Sequence, residues 1–238
     1  QYGDLFDDAN RQGLSFCWPK VSQHHVRQVL ASQVQHDPVN RPVLGVFGTS
    51  ASQGKFTLQL SLRRWFLQQD YRVAQVGTEH HSALFGMDFV FPMGHGSTVD
   101  AEASCFPEFL DRVMRRICAE SQPDLLIVGS QSGTVPFDRN EHQTLTLPTL
   151  AFLLGTKPDA CILVVNAIDP EDYIEDTIAG LRSVGQAEVI ALAVSDRSKT
   201  IQQRHGRSWT TQQQASSAEL AATLVRLEQR FGLPTVQI

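Results

Sequence analysis

Long apolar runs are scarce. The longest are strand-sized, so no stretch of the sequence spans a bilayer as a helix. No signal-peptide pattern opens the chain. Basic charge is also short: 20 Lys and Arg stand against 25 Asp and Glu, a net charge of −5, with no run of Lys or Arg. That disfavours nucleic acid as the main partner. Cysteine is sparse, and Cys17, Cys105, Cys118 and Cys161 have no metal-ligand spacing. Cys118 on an apolar helix face and Cys161 opening an apolar strand read as core residues in a reducing cytoplasm. No internal repeat, Pro-rich linker or low-complexity segment interrupts the chain. Its length suits one α/β domain with a full core and does not demand two. The first residue is Gln1 and not Met, which leads us to expect part of a longer protein.

The most informative stretch is Val43-Leu44-Gly45-Val46-Phe47-Gly48-Thr49-Ser50-Ala51-Ser52-Gln53-Gly54-Lys55-Phe56-Thr57. It reads as a buried strand, a small-residue loop and the start of a helix, the anatomy of a phosphate-binding P-loop. Loop amides and a helix N-terminus converge on one anion, and Lys55 adds a mobile positive charge. Gly48 and Gly54 let the backbone curl without a Cβ in the way. The match departs from the standard motif in two respects. Five residues separate the glycines where the standard has four, and Phe56 follows Lys55 where Ser or Thr normally supplies a hydroxyl to Mg²⁺. Thr57 comes one place late.

The rest alternates strands with helices, which predicts a three-layer α/β fold: a parallel sheet with helices on both faces. Residues 1–40 read as an N-terminal arm and helix, and 41–238 as the P-loop domain. In the arm, Phe16, Cys17, Trp18 and Pro19 are expected to pack onto the domain. Ser22 caps a helix running to His36, with Val26, Val29, Leu30 and Val34 at helical spacing. His24, His25 and His36 on it read as surface residues. Lys55–Gln69 is a helix with Leu58, Leu62, Trp65 and Phe66 inward. Arg72–Val76 is a strand running into Gly77-Thr78-Glu79. Phe85–Gly96 is a short strand and a shaped loop. Cys105–Ala119 is an amphipathic helix burying Phe106, Phe109, Leu110, Val113, Met114 and Ile117. Asp124–Val128 is an apolar strand leading to Gly129-Ser130-Gln131-Ser132-Gly133-Thr134, a second polar loop for the site. Pro148–Leu154 is a helix and Cys161–Val165 a strand. Asp169 is expected to cap the next helix, with Pro170 in its first turn and Ile168 stapled to Tyr173. Glu188–Val194 is the last clear strand, Asp196–Gln214 a polar and mobile excursion, and Ala215–Phe231 a closing helix. His80, His81 and His95 fit no zinc spacing and read as structural or solvent-facing. Ser130 and Ser132 have no partnered His in any hydrolase motif.

Three stretches together resemble one family. They are Gly48-Thr49 with Gly54-Lys55-Phe56-Thr57; Leu126-Ile127-Val128-Gly129-Ser130-Gln131-Ser132-Gly133; and Leu153-Leu154-Gly155-Thr156-Lys157-Pro158-Asp159-Ala160. The family is one long called a domain of unknown function, whose members include D-glutamate N-acetyltransferases. Its C-terminal P-loop domain is similar to dethiobiotin synthetase. The resemblance runs from about Val43 to Asn166. It implies a P-loop NTPase-like fold, ATP or acetyl-CoA as cofactor, Mg²⁺ if ATP is used, and a separate N-terminal domain. Residues 1–40 are too short to be that domain. The family's strand usually ends Val-Glu-Gly, whereas Val128 here precedes Gly129 and Ser130, with no acid.

The expectation is a small-molecule transferase or ligase domain: an N-acyltransferase or an ATP-dependent ligase acting on a small amino-acid-like substrate. Gly48 to Thr57 with Ser130, Gln131 and Ser132 would hold the cofactor. Lys55 and Glu79 would be catalytic, with Glu79 as general base or, with Thr57, on the metal side. A homo-oligomer is a possible assembly. The competing expectation is a non-catalytic nucleotide-binding or interaction module that keeps the fold; the missing acid and Phe56 favour it.

Overall fold

Residues Val43–Gly48 form strand β1, buried on both sides: Phe47 points into one core and Val46 into another. Alternation along an extended chain produces this two-sidedness. In the computed structural model β1 is the middle of seven strands, and every pairing in that sheet is parallel. The structure describes residues 3–14, 18–33, 36–94, 96–137, 147–204 and 207–238, with backbone alone for 3, 5, 6, 197–204 and 207–213.

Helices α1 (Gly3–Arg11) and α2 (Gln23–Ala31) precede β1. There follow α3 (Lys55–Gln68), β2 (Val73–Gly77), β3 (Phe89–Val90), α4 (Phe106–Ser121), β4 (Leu125–Gly129), α5 (Leu147–Thr156), β5 (Ala160–Asn166), α6 (Glu171–Gly185) and β6 (Glu188–Ser195). The chain ends with β7 (Arg197–Arg204), β8 (Arg207–Gln214), α7 (Ser217–Phe231) and β9 (Thr235–Gln237). The sheet order is β3-β2-β4-β1-β5-β6-β9. Strands β1, β4 and β5 lie inside the sheet, which accounts for their continuous apolar sequences.

The expected α/β sheet with helices on both faces is the observed one, but its two sides are unequal. The large core takes Phe47, Leu126, Val128, Leu163 and Val165 from the sheet and packs them against α4, α5, α6 and α7. On the other side α3 covers a small apolar cluster of Val46, Val164 and Ala193, with Leu58 and Leu62 beside it. In α4 all six expected inward residues are buried.

Several elements differ from the sequence reading. In α3, Trp65 is 54% exposed, while Gln59 is buried with Lys55, because the helix turns its polar N-terminal face down onto the sheet end. Helix α2 keeps its Ser22 cap, whose Oγ accepts the His25 amide, but stops at Ala31. Arg112 ends it by donating to the carbonyls of Val29 (3.2 Å) and Ser32 (3.1 Å), a contact made by α4. His25 is half-buried against Phe109, with ring centroids 5.6 Å apart, and is not a surface residue. Residues 197–204 and 207–214 of the expected polar excursion pair as the antiparallel strands β7 and β8, which the sequence reading did not anticipate. Strand β9, after the expected last strand, pairs with β6. Helix α1 lies where no period is visible, because Leu5 and Phe6 are adjacent and give no helical spacing. The arm does pack onto the domain: Trp18 lies tilted against His80 with ring centroids 4.8 Å apart, and Val21 bridges to Val99. Phe16, Cys17, Val34 and His95 lie outside the described residues.

Candidate functional site

A parallel sheet delivers its carboxyl ends to one edge, and ligands bind in the crevice beyond it. Here that edge collects the loops after β1, β2, β4 and β5. The loop after β1 joins α3 at Gly54, whose φ of +91° is the left-handed conformation that favours glycine. Gln53 braces this loop from within. Its Oε1 accepts the Ser50 amide at 2.9 Å and its Nε2 donates to Thr49 Oγ1 at 2.6 Å. Lys55 is 4% exposed, and its Nζ donates to the Ser50 carbonyl at 2.5 Å. The cradle is closed on its own groups, so an incoming anion must draw Lys55 off a carbonyl and compete for the Ser50 amide.

Beside this loop lies a cavity of about 90 Å³. It brings together eight of the residues expected at the site: Ser52, Gln53, Gly54, Lys55 and Phe56 from the loop, Glu79 beyond β2, and Ser130 and Gln131 beyond β4. Gln59 and Thr78 complete the lining: Thr78 was expected near the phosphate site with Glu79 if their strand ran parallel to β1, as it does, and Gln59 is the residue that sequence reasoning missed. Gly48, Thr49, Ser50, Ala51, Thr57 and Ser132 do not line it. The strand ends are tied to one another: Thr78 Oγ1 donates to the Gly129 carbonyl at 3.0 Å, and Gln131 Nε2 donates to the Thr78 carbonyl. Ser132 instead meets Thr149 of α5, with its Oγ 2.5 Å from Oγ1.

The residues do not fit a divalent metal in the usual P-loop way, which uses a hydroxyl beside the lysine and an acid on a nearby strand end. Phe56 stands at the hydroxyl position and packs edge-on against His81 (4.7 Å) and Phe85 (5.5 Å). Thr57 is exposed. Strand β4 ends at Gly129, with Ser130 next in the chain, leaving Glu79 as the cavity's one carboxylate among the described residues. Among the described residues no cluster of three His, Cys, Asp or Glu could hold a metal. His80 hydrogen-bonds Thr98 at 3.1 Å, the structural role expected of it.

Sequence reasoning missed a buried network behind the loop. Asp169 does not cap α6; Pro170 is the N-cap residue, and the residue before a proline is steered away from helix. The Asp169 carboxylate accepts the Asn166 amide at 2.8 Å, Asn166 Nδ2 at 3.1 Å and Thr49 Oγ1 at 2.5 Å. Asn166 Nδ2 also donates to Ser50 Oγ at 3.2 Å. Ile168 is 54% exposed and forms no staple; Tyr173 turns inward, its hydroxyl meeting the carbonyls of Thr49 (2.7 Å) and Val135 (2.9 Å). Burial and the nearby Asp169 charge push the Tyr173 hydroxyl's pKa well above the usual range. The Asp169–Pro170 pair advertised a helix start, which hid this role.

No curated protein matches the chain. A crystal structure at 2.30 Å of a DUF1611 family protein from Anabaena variabilis superposes with a TM-score of 0.56 at 13% identity. That match covers 87% of this chain and 58% of the other, so the chain spans well under two thirds of that protein's length. A nucleotide-binding protein from Archaeoglobus fulgidus, solved with ADP, matches at TM-score 0.49 and 14% identity, covering 82% of this chain and 80% of that one. Chloroplast FtsY from Physcomitrella patens matches at 0.47 and 14%, covering 90% and 65%. The family model described as a domain of unknown function (DUF1611_C), P-loop domain, matches residues 30–238. That match covers well over half of the chain, so the chain belongs to the DUF1611 family and carries that family's P-loop domain.

Proposed function

We propose that the protein binds a phosphorylated adenine cofactor, ATP or an acyl-CoA, and supports transfer or ligation onto a small amino-acid-like substrate. The observation that carries this reading is the cavity itself: Lys55 and Glu79, opposite in charge, line one space at the carboxyl ends of the strands. The lysine and the helix N-terminus suit a phosphate. Glu79 stands where a base could take a proton from an acceptor amine. The longer DUF1611 structure leaves room in this reading for a further domain that supplies the acceptor.

Thermal-shift screening with ATP, ADP and CoA, each with and without Mg²⁺, tests the reading. A ligand at a hundred times its Kd adds about 2.7 kcal/mol of stability. Lys55→Ala should abolish the shift and leave the unliganded fold intact. An unchanged shift with every ligand would remove the lysine from the phosphate site. A second reading, a non-catalytic nucleotide-binding module, draws on the lack of an acid where β4 ends. Turnover that disappears in Glu79→Gln while binding persists would decide for the enzyme.

A further inference from the structure

Gly129, the last residue of β4, sits against a side chain from another element. A Cβ at this position would lie 2.4 Å from Gln59 Nε2 and 2.5 Å from its Cδ. The amide of Gln59, reaching down from α3, therefore fills the space that a side chain at the end of β4 would occupy. Gln59 is 2% exposed and lines the cavity. Its Oε1 lies 3.5 Å from Gln75 Nε2, a donor on β2. Its Nε2 donates to none of the described residues, and Gln59 lines the cavity, so an N–H donor is available at the cavity wall. A donor facing that space can meet an anion bound there, and hydrogen bonds to a charged group are stronger than those between neutral groups.

We propose that Gln59 contacts the bound phosphate directly and takes the place of the metal-bearing carboxylate, so that the phosphate group binds as a free anion without a divalent cation. The proposal rests on the phosphate-binding reading above and specifies its ligand form. Three features agree with it. A neutral donor replaces an acid where β4 ends, Phe56 replaces the hydroxyl beside Lys55, and Lys55 lines the same cavity to balance the charge. A P-loop that relies on Mg²⁺ uses both of the groups that are replaced here.

The test is equilibrium binding of ADP and of CoA to the whole chain, by calorimetry, in EDTA and in millimolar MgCl₂. The expected result is binding in EDTA within about threefold of that in Mg²⁺, and a loss of about tenfold or more in Gln59→Met, which keeps the shape without the donor. Gln59→Glu should lose binding in EDTA and recover it with Mg²⁺, since a carboxylate then stands beside the phosphate. Unliganded melting curves check that each variant folds, and either variant alone suffices. Wild-type binding that needs Mg²⁺ overturns the inference and leaves the phosphate site standing. Gln59→Met or Gln59→Glu binding like wild type in EDTA overturns it as well. Binding of neither probe under either condition overturns the phosphate reading, and the inference with it.

Discussion

At the scale of single residues, the loop is positioned by partners far away in the chain. Asp169 reaches Thr49 across 120 positions and holds it through one short hydrogen bond. Hydrogen bonds to a charged group contribute about 1.5–3 kcal/mol each. Asp169→Asn keeps the shape but removes the charge, and urea unfolding should show a loss of about 1.5–3 kcal/mol. Glu171, two residues on, is the control: it pairs with Arg226 and Arg230 at the surface, where such pairs contribute about 0–1 kcal/mol. Equal losses in Asp169→Asn and Glu171→Gln would show that the buried network does not organise the loop. Both acids precede or open α6 in sequence and both are half-buried, and only their partners separate their roles.

At the scale of elements, legibility followed the strength of the apolar period. Helix α4 repeats apolar residues at helical spacing for three turns, and the structure buries all six. Phe109 is fully buried and touches the rings of Phe89, Phe91 and His25. Phe109→Ala should cost about 3–5 kcal/mol in denaturant unfolding; a cost near that of an exposed site would mean that the large core is not continuous across α4. Helix α3 is the opposite case. Its buried face carries Lys55 and Gln59, so an apolar period misplaces it and Trp65 turns outward. The hairpin of β7 and β8 was illegible because its residues show no apolar alternation, while its ladder needs only backbone groups. Three-residue β9 is too short to show any period.

At the scale of the whole molecule, the sheet is clamped at the end opposite the site. The Asp124 carboxylate, just before β4, accepts the amide of Arg72, just before β2, at 2.8 Å and pairs with its guanidinium at 2.8 Å. Arg72's side-chain and backbone hydrogen bonds hold the Asp124 carboxyl at about 2, below its ordinary 3.8. A depressed folded value means that the clamp stabilises fully above the unfolded pKa and is lost as pH falls through the folded one. The melting temperature should therefore fall between about pH 4 and pH 2, and Asp124→Asn should flatten that slope. An unaltered slope in the variant would assign the acid sensitivity to other carboxylates. Strand β1 has its own brace of this kind, where Asp159 Oδ2 accepts the Val43 amide at 2.8 Å.

By itself the sequence determined the parallel α/β architecture, the P-loop between Gly48 and Thr57, and the second polar loop at Ser130. These rest on local signals: strand-length apolar runs, small residues at loops, and a Gly-Lys pair opening a helix. It also exposed what is missing, the acid after Val128 and the hydroxyl beside Lys55. Only the tertiary structure decided what stands in those places. Gln59 lies 70 positions before Gly129, and Asp169 lies 120 after Thr49; no local pattern couples such pairs. They meet because parallel strands carry distant loops to one edge, where the missing Cβ of Gly129 leaves room for an amide. Residue type and spacing act along the chain, while the filling of space and the pairing of buried donors act across it.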